Sequence, residues 1–408
     1  MMIAPALPTP GVPATGSFRG KVALTICFLI ALIDGYDTLM LAFIAPLISR
    51  DWAMPPGEFG KIFAAGYAGA ALGAFLAGLA ADRFGRRKVL ALSLAIAGSF
   101  TLACAMAQSP AQLTLLRLLA GIGLGGAIPA VSALAAECVA PERRARIVAR
   151  VFLGFPVGAM VGGAVTATLM HAVGWRGIFV AGGAVALVLL PLTLAIAEAP
   201  RPAAIGGKAR RPLAEVFAEG RAAGTVLLCA AVFLTLLVTY FLLSWTPTVL
   251  SLNGMPPARA ALATAVLNLG GVVGTLMLSF LIGSRNPFLP VAIAVGLGAL
   301  LVPLFGVDFF NGAALPGFGL SFVVGLLILG AQINIPALCV FYYPAHARAT
   351  GVGLSMAVGR LGSIVGPLAG GLLVAARLPW SQLFLITAVP ALAAAVAMWL
   401  VYRGSRRT

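Results

Sequence analysis

The segment at residues 78–88 reads Gly78-Leu-Ala-Ala-Asp82-Arg83-Phe-Gly85-Arg86-Arg87-Lys88. Apolar stretches lie on both sides of it, near residues 60–81 and 89–107. The glycines allow a tight turn, and the basic cluster holds the segment in water. Positive-inside anchoring accounts for the basic residues but not for the spacing of glycine and aspartate, so this segment is expected to do more than connect two membrane helices.

The composition of the whole chain agrees with a membrane setting. Hydrophobic residues make up 61% of the 408 residues, charged residues make up only 9%, and the mean hydropathy is +1.06. An ordinary soluble domain is about 25% charged, so this chain has too few charges to cover a surface in water. The five cysteines lie in or beside apolar stretches without a CxxC pair, which favours packing residues over a disulfide frame or a metal site.

Apolar stretches long enough to cross roughly 30 Å of hydrocarbon recur along the chain and predict an all-α membrane protein with twelve transmembrane helices. The predicted spans lie near residues 22–48, 60–81, 89–107, 111–138, 148–171, 177–197, 224–250, 260–283, 287–306, 315–343, 350–375 and 381–402. An integral-membrane enzyme or sensor would need a catalytic motif, a cofactor motif or an appended domain, and the sequence shows none of these.

Basic residues set the orientation of these spans. With both termini in the cytosol, twenty of the 27 Lys and Arg residues fall on the cytosolic side, five fall outside, and two lie within helices. This bias follows the positive-inside rule and predicts a multi-pass protein of the bacterial inner membrane. It also accounts for the net charge of +16 without a nucleic-acid partner. The first 20 residues lack the pattern of a secretory signal and are expected to form a cytosolic tail.

The longest polar connection divides the chain into two groups of six spans. The predicted parts are a tail at 1–21, an N-terminal bundle at 22–197, a cytosolic loop at 198–223, a C-terminal bundle at 224–402 and a tail at 403–408. A shift of 204 residues superimposes Gly158 on Gly362 and Gly162 on Gly366. Internal duplication of this kind is common in secondary transporters, although chance matching of glycine-rich helices would give a similar pattern.

Two acidic residues lie in the first span, in the run Ala31-Leu-Ile-Asp34-Gly-Tyr-Asp37-Thr-Leu-Met40. An ionisable residue near the bilayer centre costs about 2.5–3.5 kcal/mol on insertion scales, so it is retained mainly for function or pairing. Asp34 and Asp37 are three residues apart and share a helical face. We predict that they carry protons as access alternates. The alternative is that either of them is an ion-pair partner that holds helices together.

Two arginines also lie within the predicted spans. Arg117 is about 9 Å inside the outer end of the fourth span, a depth that the first span reaches near Asp37, so a pair between them is expected. This pair is either structural or a bond that protonation opens. Arg360 is about 15 Å into the eleventh span, and its planar guanidinium suits a substrate carboxylate. An acidic residue on another helix is the alternative partner of Arg360.

Further polar and aromatic residues within the spans extend the predicted substrate site. They are Tyr36, Tyr240, Trp245, Asn268, Gln332 and Asn334. Each alone is weak evidence, because interhelical hydrogen bonds and interfacial belts use the same residue types. Glu137, at the cytosolic end of the fourth span, precedes Pro141-Glu-Arg-Arg144 and is expected to join a network of loop charges.

These residues together resemble a known family. The segment Gly78–Lys88 is similar to the signature between the second and third helices of the major facilitator superfamily, and the six-plus-six organisation agrees over the whole chain. More narrowly, three segments resemble the aromatic acid:proton symporters of that superfamily. They are Asp34-Gly-Tyr-Asp37, Arg117 with Gly121–Pro129 and Glu137, and Tyr343–Gly351 followed by Gly359–Pro367.

The resemblance implies a monomeric secondary transporter in the lipid bilayer that takes up a small aromatic carboxylate, with protons as the coupling ion and no cofactor. It implies proton-coupling roles for Asp34, Asp37 and Glu137. It further implies a set of gating residues, namely Gly78, Asp82, Arg83, Gly85, Arg86, Arg87, Arg144 and Arg348. A symporter of aliphatic or sugar-derived acids would use the same charges. The arginine at mid-membrane argues against a multidrug exporter of cations.

Overall fold

The computed structural model describes residues 18–139, 143–196, 212–218, 220–282, 286–306, 314–344 and 347–404. In these ranges, eleven helical stretches are long and apolar enough to cross a membrane. One of them, Ile147–Thr193, holds two spans, because Gly174 adopts φ 64° and ψ −179° and interrupts the helix. This backbone conformation is one that glycine adopts at little cost. The twelve predicted helices are therefore present.

We number the spans α1 to α12 in chain order. The first four are α1 Phe18–Asp51, α2 Phe59–Phe84, α3 Arg86–Cys104 and α4 Pro110–Glu137. Helices Arg144–Phe152 and Gly154–Leu189 form α5 and α6, which Gly174 divides. The others are α7 Ala222–Leu252, α8 Pro257–Ile282, α9 Phe288–Leu301, α11 Arg348–Ala375 and α12 Trp380–Gly404. Between α9 and α11, α10 consists of Ala314–Val324, Gly325–Leu329, Gly330–Ile333 and Ile335–Tyr342.

Several helices extend beyond the predicted spans or are interrupted within them. Helix α1 begins at Phe18, so residues 18–21, which the prediction assigned to the N-terminal tail, are helical. Apolarity marks only the part of a helix that crosses hydrocarbon, whereas helices continue beyond it. Helix α10 is interrupted by a π-helical turn at Gly325–Leu329 and by a break at Asn334, where one continuous span was predicted. Residues 198–211 of the predicted central loop, residue 219 and most of both predicted tails lie outside the described residues.

The two groups of six helices repeat one packing scheme. In the first group α1 packs on α5, α2 on α4 and α3 on α6; in the second, α7 packs on α11, α8 on α10 and α9 on α12. Gly158 of α5 lies against the carbonyl of Leu32, and Gly362 of α11 lies against the carbonyl of Phe233. Such close approach stabilises helix pairs in lipid, where burial gives no driving force between helices. The packing agrees with the shift of 204 residues.

The two halves contact each other near one end of the bundle. We call the end that carries Gly85 and the connection between α6 and α7 the loop face, and the opposite end the far face. Gly163 of α5 lies beside Ala265 of α8, and Gly60 of α2 lies beside Gly371 of α11, all towards the far face. Residues 238–251 of α7, which lead to the far face, are all buried, whereas the loop-face end of this helix has exposed positions. The halves are therefore packed together on the far face.

Candidate transport site

Asp37 is fully buried and bonded on both of its carboxylate oxygens. The Nη1 atom of Arg117 lies 2.8 Å from Oδ1 of Asp37, and Thr101 Oγ1 donates to Oδ2 at 2.6 Å. Arg117 Nη2 also donates to the backbone carbonyl of Asp37 at 3.1 Å. The ion pair that the helix depths predicted is thus present, and it ties α1 to α3 and α4. A buried pair of this kind is costly to break, because either partner alone would be an uncompensated charge.

Asp34 lies one turn nearer the loop face and has a different environment. It is buried, with 8% of its surface exposed, but in the described part of the chain no side chain forms an ion pair or hydrogen bond with it. Arg360 of α11, which is half-buried, acts on it electrostatically. These two opposite charges belong to different halves and lie near the middle of their helices. They lie within electrostatic range of each other, and the described structure shows no ion pair or hydrogen bond between them.

A layer of aromatic residues joins the two halves on the far-face side of these charges. Tyr67 of α2 and Tyr240 of α7 meet edge to face, with ring centroids 4.7 Å apart, and Phe63 meets Trp245 at 5.8 Å. The hydroxyl oxygens of Tyr67 and Ser244 are 3.2 Å apart and share a hydrogen bond. We call Phe63, Tyr67, Tyr240 and Trp245 the aromatic layer. Tyr240 also lies within electrostatic range of Arg360 and Asp34, so the layer borders the charged site.

Two residues predicted to bind substrate are engaged in contacts with neighbouring helices. Tyr36 packs against Gly162 and Gly182, between α1, α5 and α6, because a position two residues from Asp34 points to nearly the opposite side of the helix. Asn334 donates through Nδ2 to the carbonyl of Gly330 at 2.9 Å and to that of Thr275 at 3.3 Å. It therefore ties the break in α10 to α8.

The remaining predicted lining residues are on α8 and α10. Asn268 is buried and donates through Nδ2 to the carbonyl of Thr264, one turn earlier in its own helix, at 2.9 Å. Gln332 is half-buried in the segment that follows the π-helical turn of α10. Such turns are frequent at functional sites. Asn268 and Gln332 stay candidates for the lining of the substrate site.

The predicted gating residues lie on or near the loop face. Glu137, at the end of α4, forms an ion pair with Arg86 at the start of α3, well away from the carboxylates of α1. Gly85 separates α2 from α3 with φ 94°, a conformation that favours glycine. The guanidinium of Arg83 lies 5.4 Å from the ring centroid of Phe84. Glu137 thus pairs with one charge of the loop face, and residues 140–142 of the predicted network lie outside the described residues.

The other members of the gating set are at helix ends or in open positions. Arg144 and Arg348 begin α5 and α11, and Arg348 Nε donates to the carbonyl of Tyr343 at 3.3 Å. Gly78 has open space at the position of a side chain. Arg87 is half-buried at the start of α3, and the side chain of Asp82 lies outside the described residues.

Sequence reasoning missed three polar residues of this region. Thr101, Tyr67 and Ser244 each lie in an apolar span, and a hydroxyl in such a span is common and usually bonds its own helix. The importance of each of these hydroxyls depends on which neighbouring helix its side chain faces. A charged residue, by contrast, stands out because of its cost in lipid.

The sequence matches the family model of the Major Facilitator Superfamily over residues 27–358. The chain belongs to this superfamily. Among curated members it is 36% identical to a gallate transporter of Pseudomonas putida, over 92% of this chain and 90% of the relative. It is 38% identical to the 3-(3-hydroxy-phenyl)propionate transporter of Escherichia coli K12, over 89% of each chain. A 4-hydroxybenzoate transporter of Acinetobacter baylyi is 31% identical, over 92% of this chain and 89% of the relative.

Solved structures agree with this fold. A D-xylose-proton symporter superimposes with a TM-score of 0.75 at 17% identity, covering 93% of this chain and 97% of its own. A bacterial homolog of the human lysosomal transporter Spinster gives a TM-score of 0.76 at 19% identity, covering 95% and 98%. The structures show the fold; the family model and the curated relatives make the protein a membrane transporter of the major facilitator superfamily and not an enzyme.

Proposed function

We propose that this major facilitator superfamily protein takes up a small aromatic carboxylate together with protons by alternating access of its two halves. The loop face carries most of the basic residues, and the positive-inside rule supports a cytosolic position of this face and of both termini. The names of the relatives support an aromatic acid as substrate. The far-face contacts between the halves would then close the external side, and the site would be reached from the cytosol.

The observation that carries the proposal is the unpaired arrangement of Arg360 and Asp34. A guanidinium at mid-membrane without a direct acidic partner, among the described residues, is available to a substrate carboxylate. Tyr240, beside Arg360, offers an aromatic face to the ring of the substrate. A cationic cargo would be repelled by the same arginine, which disfavours the multidrug exporter.

Coupling follows from the position of Asp34 opposite Arg360. When Asp34 is ionised, its negative charge attracts Arg360 and repels an incoming carboxylate. When it is protonated, Arg360 is free to bind the substrate, so proton and anion load together. Asp37 is already held by Arg117 and Thr101 and ties helices together, which makes Asp34 the better candidate for the mobile proton.

Transport into liposomes tests the proposal. Purified protein with an imposed proton gradient, acidic outside, should accumulate labelled 4-hydroxybenzoate against its concentration gradient, and a protonophore should abolish this. Accumulation that ignores the gradient would refute proton coupling. Preference for an aliphatic or sugar-derived acid of equal charge would favour the alternative substrate class instead.

A substitution at Arg360 tests whether this residue holds the substrate carboxylate, a role for which we call it the carboxylate anchor. Arg360→Lys keeps the charge but loses the planar fork, so KM for 4-hydroxybenzoate should rise at least about tenfold. Arg403→Lys is the matched control, because Arg403 is exposed at the end of α12 beside Trp399, and its KM should not change. An unchanged KM in Arg360→Lys would remove Arg360 from the substrate site.

A further inference from the structure

The hydroxyls of Tyr67 and Ser244 can form more hydrogen bonds than the one they share. Each hydroxyl has one proton to donate and two lone pairs, and the pair shares a single hydrogen bond of 3.2 Å. In the structure as described, neither oxygen has another hydrogen-bond partner. One donor and several lone pairs are therefore left, in a place where Ser244 is fully buried and Tyr67 is 8% exposed. A buried hydroxyl usually finds a partner for such a donor.

The pair lies on the far-face side of the proposed carboxylate anchor, next to the ring of Tyr240. Ser244 is one turn beyond Tyr240 on α7, which is about 6 Å along the helix axis. Arg360 acts on the hydroxyl of Tyr240, and the ring of Tyr240 meets the ring of Tyr67 with centroids 4.7 Å apart, so the anchor and the pair border the same aromatic ring. One helical turn is close to the length from a carboxylate carbon across a benzene ring to a hydroxyl at the far side. A ring that lies beside Tyr240 would thus reach the pair with its distal substituent.

We infer that Tyr67 and Ser244 form a subsite that recognises a ring hydroxyl of the transported acid and so determine specificity for hydroxylated over unsubstituted aromatic carboxylates. The inference rests on the proposed function, because it needs the carboxylate at Arg360. A phenolic hydroxyl would accept the spare donor of the pair and donate to one of its lone pairs. An acid without this hydroxyl would leave the donor unpaired, and that is how a polar site rejects an apolar analogue.

The same bond also connects the two halves, so a purely structural role must be distinguished. If Tyr67 and Ser244 only held the far face closed, their removal would change the balance between conformations. That change would affect every substrate by the same factor. Recognition of a hydroxyl predicts instead a change that depends on the substrate, and the ratio of two affinities in one variant reports it.

The test is equilibrium binding of 4-hydroxybenzoate and benzoate to the purified full-length protein. We expect the wild type to bind 4-hydroxybenzoate more tightly. In Tyr67→Phe and Ser244→Ala the Kd for 4-hydroxybenzoate should rise about five- to tenfold, the size of one hydrogen bond, and the Kd for benzoate should change less than twofold. The double variant should lose no more than the larger single loss, because both residues act as one unit.

Two matched variants serve as controls. Tyr342→Phe removes a tyrosine hydroxyl at the loop face, which donates to the carbonyl of Arg221. Thr235→Ala removes a buried hydroxyl of α7 that bonds its own helix. Neither should change the ratio of the two affinities. Because the ratio is taken within one variant, a fraction of misfolded protein does not alter it.

The outcomes separate the inference from the proposed function. Equal loss of both acids in Tyr67→Phe and Ser244→Ala, or an unchanged ratio, would overturn the hydroxyl subsite and leave the transporter of aromatic acids in place. Absence of binding of either acid to the wild type would refute the proposed function and the subsite with it. A ratio that falls only in the two subsite variants would establish the inference.

Discussion

Two carboxylates three residues apart have different environments because their neighbours differ. Asp37 accepts hydrogen bonds from Arg117 and Thr101, whereas Asp34 faces Arg360 without direct contact. In lipid a satisfied ion pair favours a structural role, whereas a buried charge without a direct partner favours a functional one. The sequence alone presents these two residues as an equivalent pair.

Removing the charge of Asp37 should destabilise the protein. Asp37→Asn leaves Arg117, which is 3% exposed, without a counter-charge, and breaking a buried pair costs about 3–5 kcal/mol. Thermal unfolding in detergent should show a clear fall in the melting temperature. Asp37→Asn combined with Arg117→Gln should recover part of it, since no lone charge then remains. A single variant that melts like the wild type would contradict the structural role of Asp37. Gradient-driven uptake by this variant would contradict any essential proton role of Asp37.

Removing the charge of Asp34 should uncouple transport without unfolding the protein. Asp34→Asn imitates the protonated residue, so Arg360 should bind the substrate at every pH. Wild-type binding of 4-hydroxybenzoate should weaken as the pH rises, because ionised Asp34 then competes for Arg360. In the variant this pH dependence should be lost, and exchange of labelled for unlabelled substrate should persist without accumulation. Accumulation driven by a proton gradient in Asp34→Asn would exclude Asp34 as the coupling residue.

At the level of single residues, sequence predicted the charges but not most of their partners. The pair of Asp37 and Arg117 could be predicted, because depth in the membrane follows from counting residues along two helices. The direction in which a side chain points around its helix axis could not be predicted, because an error of one residue in the position along the helix turns that direction by about 100°. This is why Tyr36 was predicted to belong to the substrate site and why Tyr67 was overlooked.

Among the helices, α10 differs most from its prediction. The hydropathy of residues 316–342 predicts one span, but a π-helical turn and the break at Asn334 divide it. Pro336 follows the break and lacks the N–H that a continuous helix would need. The backbone N–H of Asn334 bonds the carbonyl of Ala331, and its side chain donates to the carbonyls of Gly330 and of Thr275 in α8. Hydropathy records burial in lipid and is insensitive to such local changes in the hydrogen-bond pattern.

A glycine contact between α8 and α10 should be sensitive to small changes in volume. A methyl group on Gly330 would lie 2.7 Å from the backbone of Gly274, so Gly330→Ala must push the two helices apart. Overpacking of this kind costs about 1–3 kcal/mol. Gly319→Ala is a control on the same helix, because it has open space at that position and should be neutral or slightly stabilising. Equal melting temperatures of the two variants in detergent would contradict the close packing of α8 and α10.

For the whole molecule, sequence predicted the number of helices and the division into related halves. Hydropathy and the longest polar connection are sufficient for that, because lipid allows few alternatives to a bundle of helices. The conformation of the bundle was not predictable. A transporter must adopt at least two arrangements of similar free energy with one sequence, so the pattern of residues fits both.

A crosslink between the halves should show whether the far-face contacts separate during transport. The Cβ of Ala265 is 3.0 Å from the position of a Cβ on Gly163, slightly nearer than the roughly 3.5–4.5 Å of a disulfide. Gly163→Cys with Ala265→Cys should therefore form a disulfide after a small adjustment of α5 and α8. Oxidation should abolish uptake into liposomes, a reductant should restore it, and each single cysteine variant should be indifferent to both treatments. If the far face opens to admit substrate, a protein locked there cannot complete the cycle, although its site stays accessible from the loop face and should still bind 4-hydroxybenzoate. Undiminished uptake by the crosslinked protein would show that the contact between Gly163 and Ala265 need not open during transport and that the two halves separate at other contacts.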